Sequence, residues 1–129
     1  GLSQWVGDLI VSSMGGTPSQ VGMVAIFSVM ALLLSELTSH TASTNMIGPL
    51  AITATVSAGI SPIPVAVGIA LSASLGFMLP ISTPPNAIVY ASGYIPMTKM
   101  IRTGVIIDFV GIACITIPLV IYFVSWMVA

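Results

Sequence analysis

A chain of 129 residues that is 57% hydrophobic and only 4% charged, with a net charge of −1 and a mean hydropathy of +1.16, lies far outside the composition of soluble domains and is expected to be integral to a membrane. Two Lys/Arg residues in the whole chain exclude a nucleic-acid partner, which needs a basic surface. The single cysteine, Cys114, excludes an intrachain disulfide and reads as a small packed hydrophobe inside an apolar run. Gly1 opens no charged leader or cleavage pattern, and the chain is expected to be a piece of a longer one.

In chain order, residues 1–16 set Leu2, Trp5, Val6, Leu9, Ile10 and Met14 at helical spacing with Ser3, Gln4 and Asp8 opposite. That pattern predicts an interfacial helix with Trp5 at headgroup level. Within 17–58, the apolar run Met23 to Leu34 covers as a helix roughly 18 Å against a hydrocarbon core of about 30 Å. The most polar stretch of the chain follows, Ser35 to Asn45, and then a second short apolar run, Met46 to Val56. Two half-length helices meeting at a polar tip predict a re-entrant hairpin. Two full spans with an aqueous loop are the alternative, and the shortness of both arms decides.

Residues 62–93 read as a broken transmembrane helix. Pro64 to Met78 is almost wholly apolar, Leu79-Pro80-Ile81-Ser82-Thr83-Pro84-Pro85-Asn86 is polar and proline-broken, and Ala87 to Gly93 is apolar again. Non-helical backbone at membrane depth survives only where it is buried in protein or lines a polar cavity, so the break is a candidate site. The connection 93–102 holds Lys99 and Arg102, which the positive-inside rule assigns to the cytoplasm. A last transmembrane helix, 98–128, carries Tyr122 and Trp126 as interface anchors. In this orientation the hairpin enters from outside and its tip reaches the depth of the break.

Both tips have one layout: a helix ends, hydroxyl residues follow, and a second helix starts. Thr83 followed by Pro84 fits an N-cap and first helical residue, aiming the N–H groups of the outgoing half-helix at the break. Thr41, Ser43 or Thr44 is placed to cap the returning arm of the hairpin. Two helix N-termini in low dielectric suit an anion, and the carbonyls that end the incoming arms, around 34–38 and 78–82, suit a small hard cation. Anion and cation positions side by side point to coupled transport. Hydroxyl residues in membrane helices often only pack or bond to their own backbone, and Pro84-Pro85 has a plainer reading as a kink. Two such clusters, one with His40 and one with Asn86, favour a site. Glu36 is expected to bond to backbone or to the rest of the protein in preference to coupling an ion, and Asp108 to serve as a cap or partner near the cytoplasmic interface. A metal-ligand role for His40 lacks a helping His, Cys or carboxylate. No nucleophile stands with a base in a recognised arrangement, so the chain is not expected to be an enzyme.

The seventeen residues Ala73 to Val89, through Leu79-Pro80-Ile81-Ser82-Thr83-Pro84-Pro85-Asn86, resemble the signature of the divalent anion/sodium symporter family, which carries dicarboxylates, citrate or sulfate with sodium. Glu36-Leu37-Thr38-Ser39-His40-Thr41-Ala42 is similar to the Ser-Asn-Thr motif at that family's outward-entering hairpin. The resemblance implies an all-α inverted-repeat transporter of which this chain is the C-terminal half, acting as a homodimer in a prokaryotic inner or plasma membrane by an elevator-like motion, with sodium as coupling ion and no organic cofactor. It implies substrate contacts from Ser39, His40, Thr41, Thr83, Pro84 and Asn86, and a sodium ion at Ser35, Thr38, His40 and Ser82, held mainly by main-chain carbonyls. The missing repeat would supply the second hairpin tip and the other sodium. His40 departs from the family's usual Asn. Its imidazole N–H replaces an amide donor but is larger and can take a proton, which leaves a proton-coupled carrier, or a sulfate or citrate carrier, beside the C4-dicarboxylate symporter.

Overall fold

The computed structural model describes residues 1, 5, 9, 12 and 19–128. All regular structure among them is helical. The interfacial helix expected over 1–16 lies mostly outside the described residues. Of it, Trp5, Leu9 and Ser12 are helical, and the Trp5 side chain is exposed.

The hairpin is α1 (Gln20–Leu37) and α2 (His40–Ser57). Ser19 starts α1 by accepting from the Gly22 N–H at 3.1 Å, satisfying one of the donors a helix start leaves unpaired. Met23, Val24, Phe27, Ala31 and Leu32 recur at helical spacing and are buried, and the buried face continues into Ser35 and Glu36. The helix therefore does not stop at Leu34, where the apolar run stops. Its eighteen residues span about 27 Å, so length alone no longer separates a re-entrant arm from a full span. Thr38 turns extended with its N–H on the Leu34 carbonyl, and Ser39 caps α2 by accepting from the Ala42 N–H at 3.2 Å. The returning arm is thus capped by Ser39 and not by Thr41, Ser43 or Thr44. Thr44 Oγ1 donates back to the His40 carbonyl at 2.9 Å, and Ser43 Oγ crosses to the Ala31 carbonyl at 2.7 Å, pinning the two arms together.

Gly59, at φ +72°, supplies the left-handed turn after α2. The Ile60 N–H then reaches the Thr55 carbonyl and the Gly59 N–H the Val56 carbonyl, a glycine-terminated helix end. Pro62 opens α3 (Pro62–Ala73), which packs against both arms of the hairpin. Gly68 lets α3 approach α1: a Cβ there would stand 2.7 Å from Ser28 Oγ and 2.8 Å from Val24 Cγ1. The core is the stack of Met23, Phe27 and Ala31 on Val65, Ile69 and Ala73, with Ile47, Ala51 and Ala54 from α2.

α3 ends at Ala73, five residues before the Met78 expected from the apolar run. Residues 74–83 are non-helical, and α4 (Pro84–Ala91) leads away with no buried residue. The final helix is α5 (Met97–Gly111), a π-helical turn (Ile112–Thr116) and α6 (Ile117–Val128). Pro118 explains the wide turn. It has no N–H for the Cys114 carbonyl and its ring crowds that carbonyl, while the Ile117 N–H bonds to Ile112, five residues back. Gly104, Asp108 and Gly111 are the buried residues of α5, with Gly104 against the backbone of Phe77 and Met78 and Gly111 against Leu75. Gly104, the eighth residue of α5, is pressed against the break, and the seven residues before it make about 10 Å of helix. By length and composition, Gln20–Leu37 and Met97–Phe123 are long and apolar enough to cross a membrane.

Candidate functional site

The site is built where the hairpin tip meets the break, and Glu36 joins them. Its carboxylate accepts from the Met78 N–H with both oxygens at 3.1 Å, from the Leu79 N–H at 3.0 Å and from Ser82 Oγ at 3.0 Å. Ser82 Oγ also lies 3.2 Å from the Glu36 carbonyl. Non-helical backbone needs partners for its polar groups, and a carboxylate accepting several N–H and O–H donors is the strong form of that bond. Glu36, 3% exposed, therefore bonds to backbone as the sequence led us to expect.

On the outgoing side, Thr83 caps α4 by accepting from the Asn86 N–H at 3.3 Å, with Pro84 at the first helical position as the Thr-Pro spacing predicts. The expectation of free N–H groups there is corrected. Pro84 and Pro85 have none, Asn86 gives its own to Thr83, and the Ala87 N–H bonds to the Thr83 carbonyl. The donor that α4 can offer is the Thr83 hydroxyl hydrogen, whose oxygen is already fixed by the cap. Asn86 directs its side-chain amide inward, donating to the Gly76 carbonyl at 3.0 Å and the Leu79 carbonyl at 3.2 Å, and so holds the two sides of the break together.

Gly76 is where tip and break touch. A Cβ on it would lie 2.8 Å from His40 Cε1, 3.1 Å from Ser35 Oγ and 3.3 Å from Ser82 Cβ. Ser35, His40 and Ser82, from three separate segments, therefore meet around one glycine, and Asn86 bonds to that same residue from α4. His40 Nδ1 is buried there without a hydrogen-bond partner. At the start of α2, the N–H groups of Ser39, His40 and Thr41 have no acceptor within the helix, since the first intrahelical bond runs from Ser43 to the Ser39 carbonyl. The carbonyl of His40 is turned into α2, accepting from Thr44 Oγ1. Thr38 Oγ1 donates to the Leu34 carbonyl at 2.9 Å. Of the carbonyls expected to stay open, those of Leu34, Glu36 and Leu79 are engaged by Thr38, Ser82 and Asn86. Thr41 and Pro84 are exposed.

Asp108 is 2% exposed and sits one turn beyond Gly104, at the level of the break. Its carboxyl lies beside Glu36 and the Phe77 N–H, yet neither of its oxygens completes a hydrogen bond. A signal was available: Glu36 and Asp108 are two of the three acidic residues in the chain, and ionisable groups inside a membrane seek each other or a polar partner. Gly76 carried no comparable mark.

Compared with known proteins, the whole chain, residues 1–129, matches the family model described as the sodium:sulfate symporter transmembrane region. It is 36% identical over 123 residues to the sodium-dependent dicarboxylate transporter SdcS of Staphylococcus saprophyticus, covering 95% of this chain and 23% of that protein. It is 36% identical over 115 residues to the Na(+)/citrate cotransporter of Rattus norvegicus, covering 89% and 20%. It is 34% identical over 119 residues to solute carrier family 13 member 2 of Mus musculus, covering 92% and 20%. The chain thus spans between a fifth and a quarter of the length of these relatives.

Proposed function

We infer the function from one premise: the chain belongs to the family of the sodium:sulfate symporter transmembrane region. On that premise it is part of a secondary active transporter that carries a dianion, a C4-dicarboxylate, together with sodium by alternating access. The observation that carries the reading is the meeting of Ser35, His40 and Ser82 at Gly76, locked by Glu36 across hairpin tip and break. A site assembled from two separate polar breaks can open and close as one element moves against the other.

In this reading Ser39, His40 and Thr41 present N–H donors to a substrate carboxylate, and the Thr83 hydroxyl completes the contact beside Pro84. Asn86 acts by holding the break. Sodium lies near Ser35, Thr38, His40 and Ser82, bound by main-chain oxygens that the hydrogen bonds above leave open. In the same reading the hairpin enters and leaves on one side, and Lys99 and Arg102 put 93–102 in the cytoplasm. The remainder of the polypeptide supplies a second hairpin tip and a second sodium, and the complete protein works as an elevator-type homodimer.

The experiment is uptake of labelled succinate by the full-length parent in proteoliposomes, with and without an inward sodium gradient. We expect uptake to follow the sodium gradient. Uptake restored only by sulfate or citrate would keep the mechanism and move the substrate. The unpartnered Nδ1 of His40 favours one rival, a proton-coupled carrier, which uptake driven by a pH gradient in sodium-free buffer would establish in its place.

A further inference from the structure

We propose that Asp108 provides a further cation position within this chain, a sodium ion held between its carboxylate and that of Glu36 on the last-helix side of the break, and this rests on the sodium-coupled reading above. The two carboxylates are 2% and 3% exposed and adjoin each other between helices that are apolar enough to lie in a bilayer. Their situations differ. Glu36 is held by four donor contacts, three of them on Oε2, so that Oε1 accepts only from Met78 and keeps room for a further partner. Asp108 has two oxygens with no hydrogen bond at all.

A buried, unpaired carboxylate is among the least favourable groups a protein can contain, and a second carboxylate beside it makes the position worse unless a shared proton or a cation intervenes. No basic side chain does so here, because Lys99 and Arg102 are both exposed in the opening turns of α5. Three oxygens with open positions, Asp108 Oδ1 and Oδ2 and Glu36 Oε1, are instead a donor set for a hard monovalent cation, which prefers carboxylate oxygen to nitrogen or sulfur. Asp108 also forms part of the wall of an otherwise largely apolar cavity of about 580 Å³ between α1 and the last helix, which Met78 lines as well. The proposed position shares the Glu36 clamp with the position at Gly76 and differs from it in drawing its other ligand, Asp108, from α5. A bound ion there would tie the last helix to the Glu36 clamp and so to the closed arrangement of tip and break.

The test is a sodium titration of the full-length parent, read both as succinate uptake in proteoliposomes and as sodium-dependent thermal stabilisation in detergent, for the wild type, Asp108→Asn and Asp108→Glu. We expect Asp108→Asn to raise the half-saturating sodium concentration by about tenfold or more and to lose part of the stabilisation by sodium, with succinate affinity at saturating sodium unchanged. Asp108→Glu keeps the charge and is expected to retain stabilisation by sodium at a shifted concentration. If Asp108→Asn fails to fold, an Asp108→Glu titration identical to the wild type overturns the proposal. So does an unaltered sodium dependence in Asp108→Asn, which would mean that a proton or a basic group elsewhere in the polypeptide neutralises Asp108. Wild-type uptake indifferent to sodium would overturn the transport reading itself, whereas a sodium-dependent wild type with an indifferent Asp108→Asn would overturn this position alone.

Discussion

Replacing Glu36 by alanine is expected to destabilise the full-length parent by about 3–5 kcal/mol, the range for removing one member of a buried, charge-assisted network. The substitution strips the Met78 and Leu79 N–H groups and the Ser82 hydroxyl of their acceptor at once. Those groups lie in non-helical backbone that has no helical carbonyl to turn to, and at membrane depth water cannot replace the carboxylate. Glu36→Gln keeps the size and one acceptor oxygen but turns an NH₂ toward the N–H groups, so a smaller loss, about 1–3 kcal/mol, is expected. Thermal unfolding in detergent measures both. A Glu36→Ala protein that melts with the wild type would show that the carboxylate does not hold tip and break together.

Gly104→Ala is expected to cost about 3 kcal/mol, at the upper end of the range for overpacking, and to weaken the seating of the last helix on the break. Its Cβ would lie 2.5 Å from Met78 Cα, 2.6 Å from Met78 N and 2.6 Å from the Phe77 carbonyl carbon. These are backbone atoms, which no rotamer change can withdraw. The control is Gly48→Ala in α2, where a Cβ meets nothing within 4 Å. There, the helical gain of alanine over glycine is offset by crowding against the ring of Pro49, and a change of less than about 1 kcal/mol is expected. Equal melting temperatures for the two variants would contradict the close approach at Gly104.

The all-helical membrane architecture was legible because it rests on composition and on strong local signals. Ser82-Thr83-Pro84-Pro85 cannot continue a helix, and Thr83 as cap followed by Pro84 follows from backbone chemistry alone. The boundaries that tertiary contacts decide were not legible. Gly76 is the one local stop signal in Leu75-Gly76-Phe77-Met78, and it does not by itself set the end of α3 at Ala73. What holds that stretch out of a helix is distant in sequence, with Glu36 taking the Met78 and Leu79 N–H groups and Gly104 pressing on the backbone. The tip offered Ser39, Thr41, Ser43 and Thr44 within six positions, any of which can cap a helix. Ser43 was removed from the choice by its bond to the Ala31 carbonyl on the other arm.

One feature of the site was readable and overlooked. Two consecutive prolines at the start of α4 remove the N–H groups that an anion at a helix N-terminus would use, which in the proposed site leaves the start of α2 and the Thr83 hydroxyl as the donors to a carboxylate. The pairing of Asp108 with Glu36 was not legible in the same way, because it depends on how the last helix seats on the break through Gly104, a contact that local sequence does not encode.

The central claim is that hairpin tip and break form one site for sodium and a dianion, and calorimetric titration of succinate into the purified full-length parent tests it most directly. We predict binding in sodium buffer, its loss when choline replaces sodium, and an affinity about tenfold lower for Thr83→Ala, which removes both the cap of α4 and the hydroxyl donor. Succinate bound equally well in choline, or by Thr83→Ala as by the wild type, would contradict it.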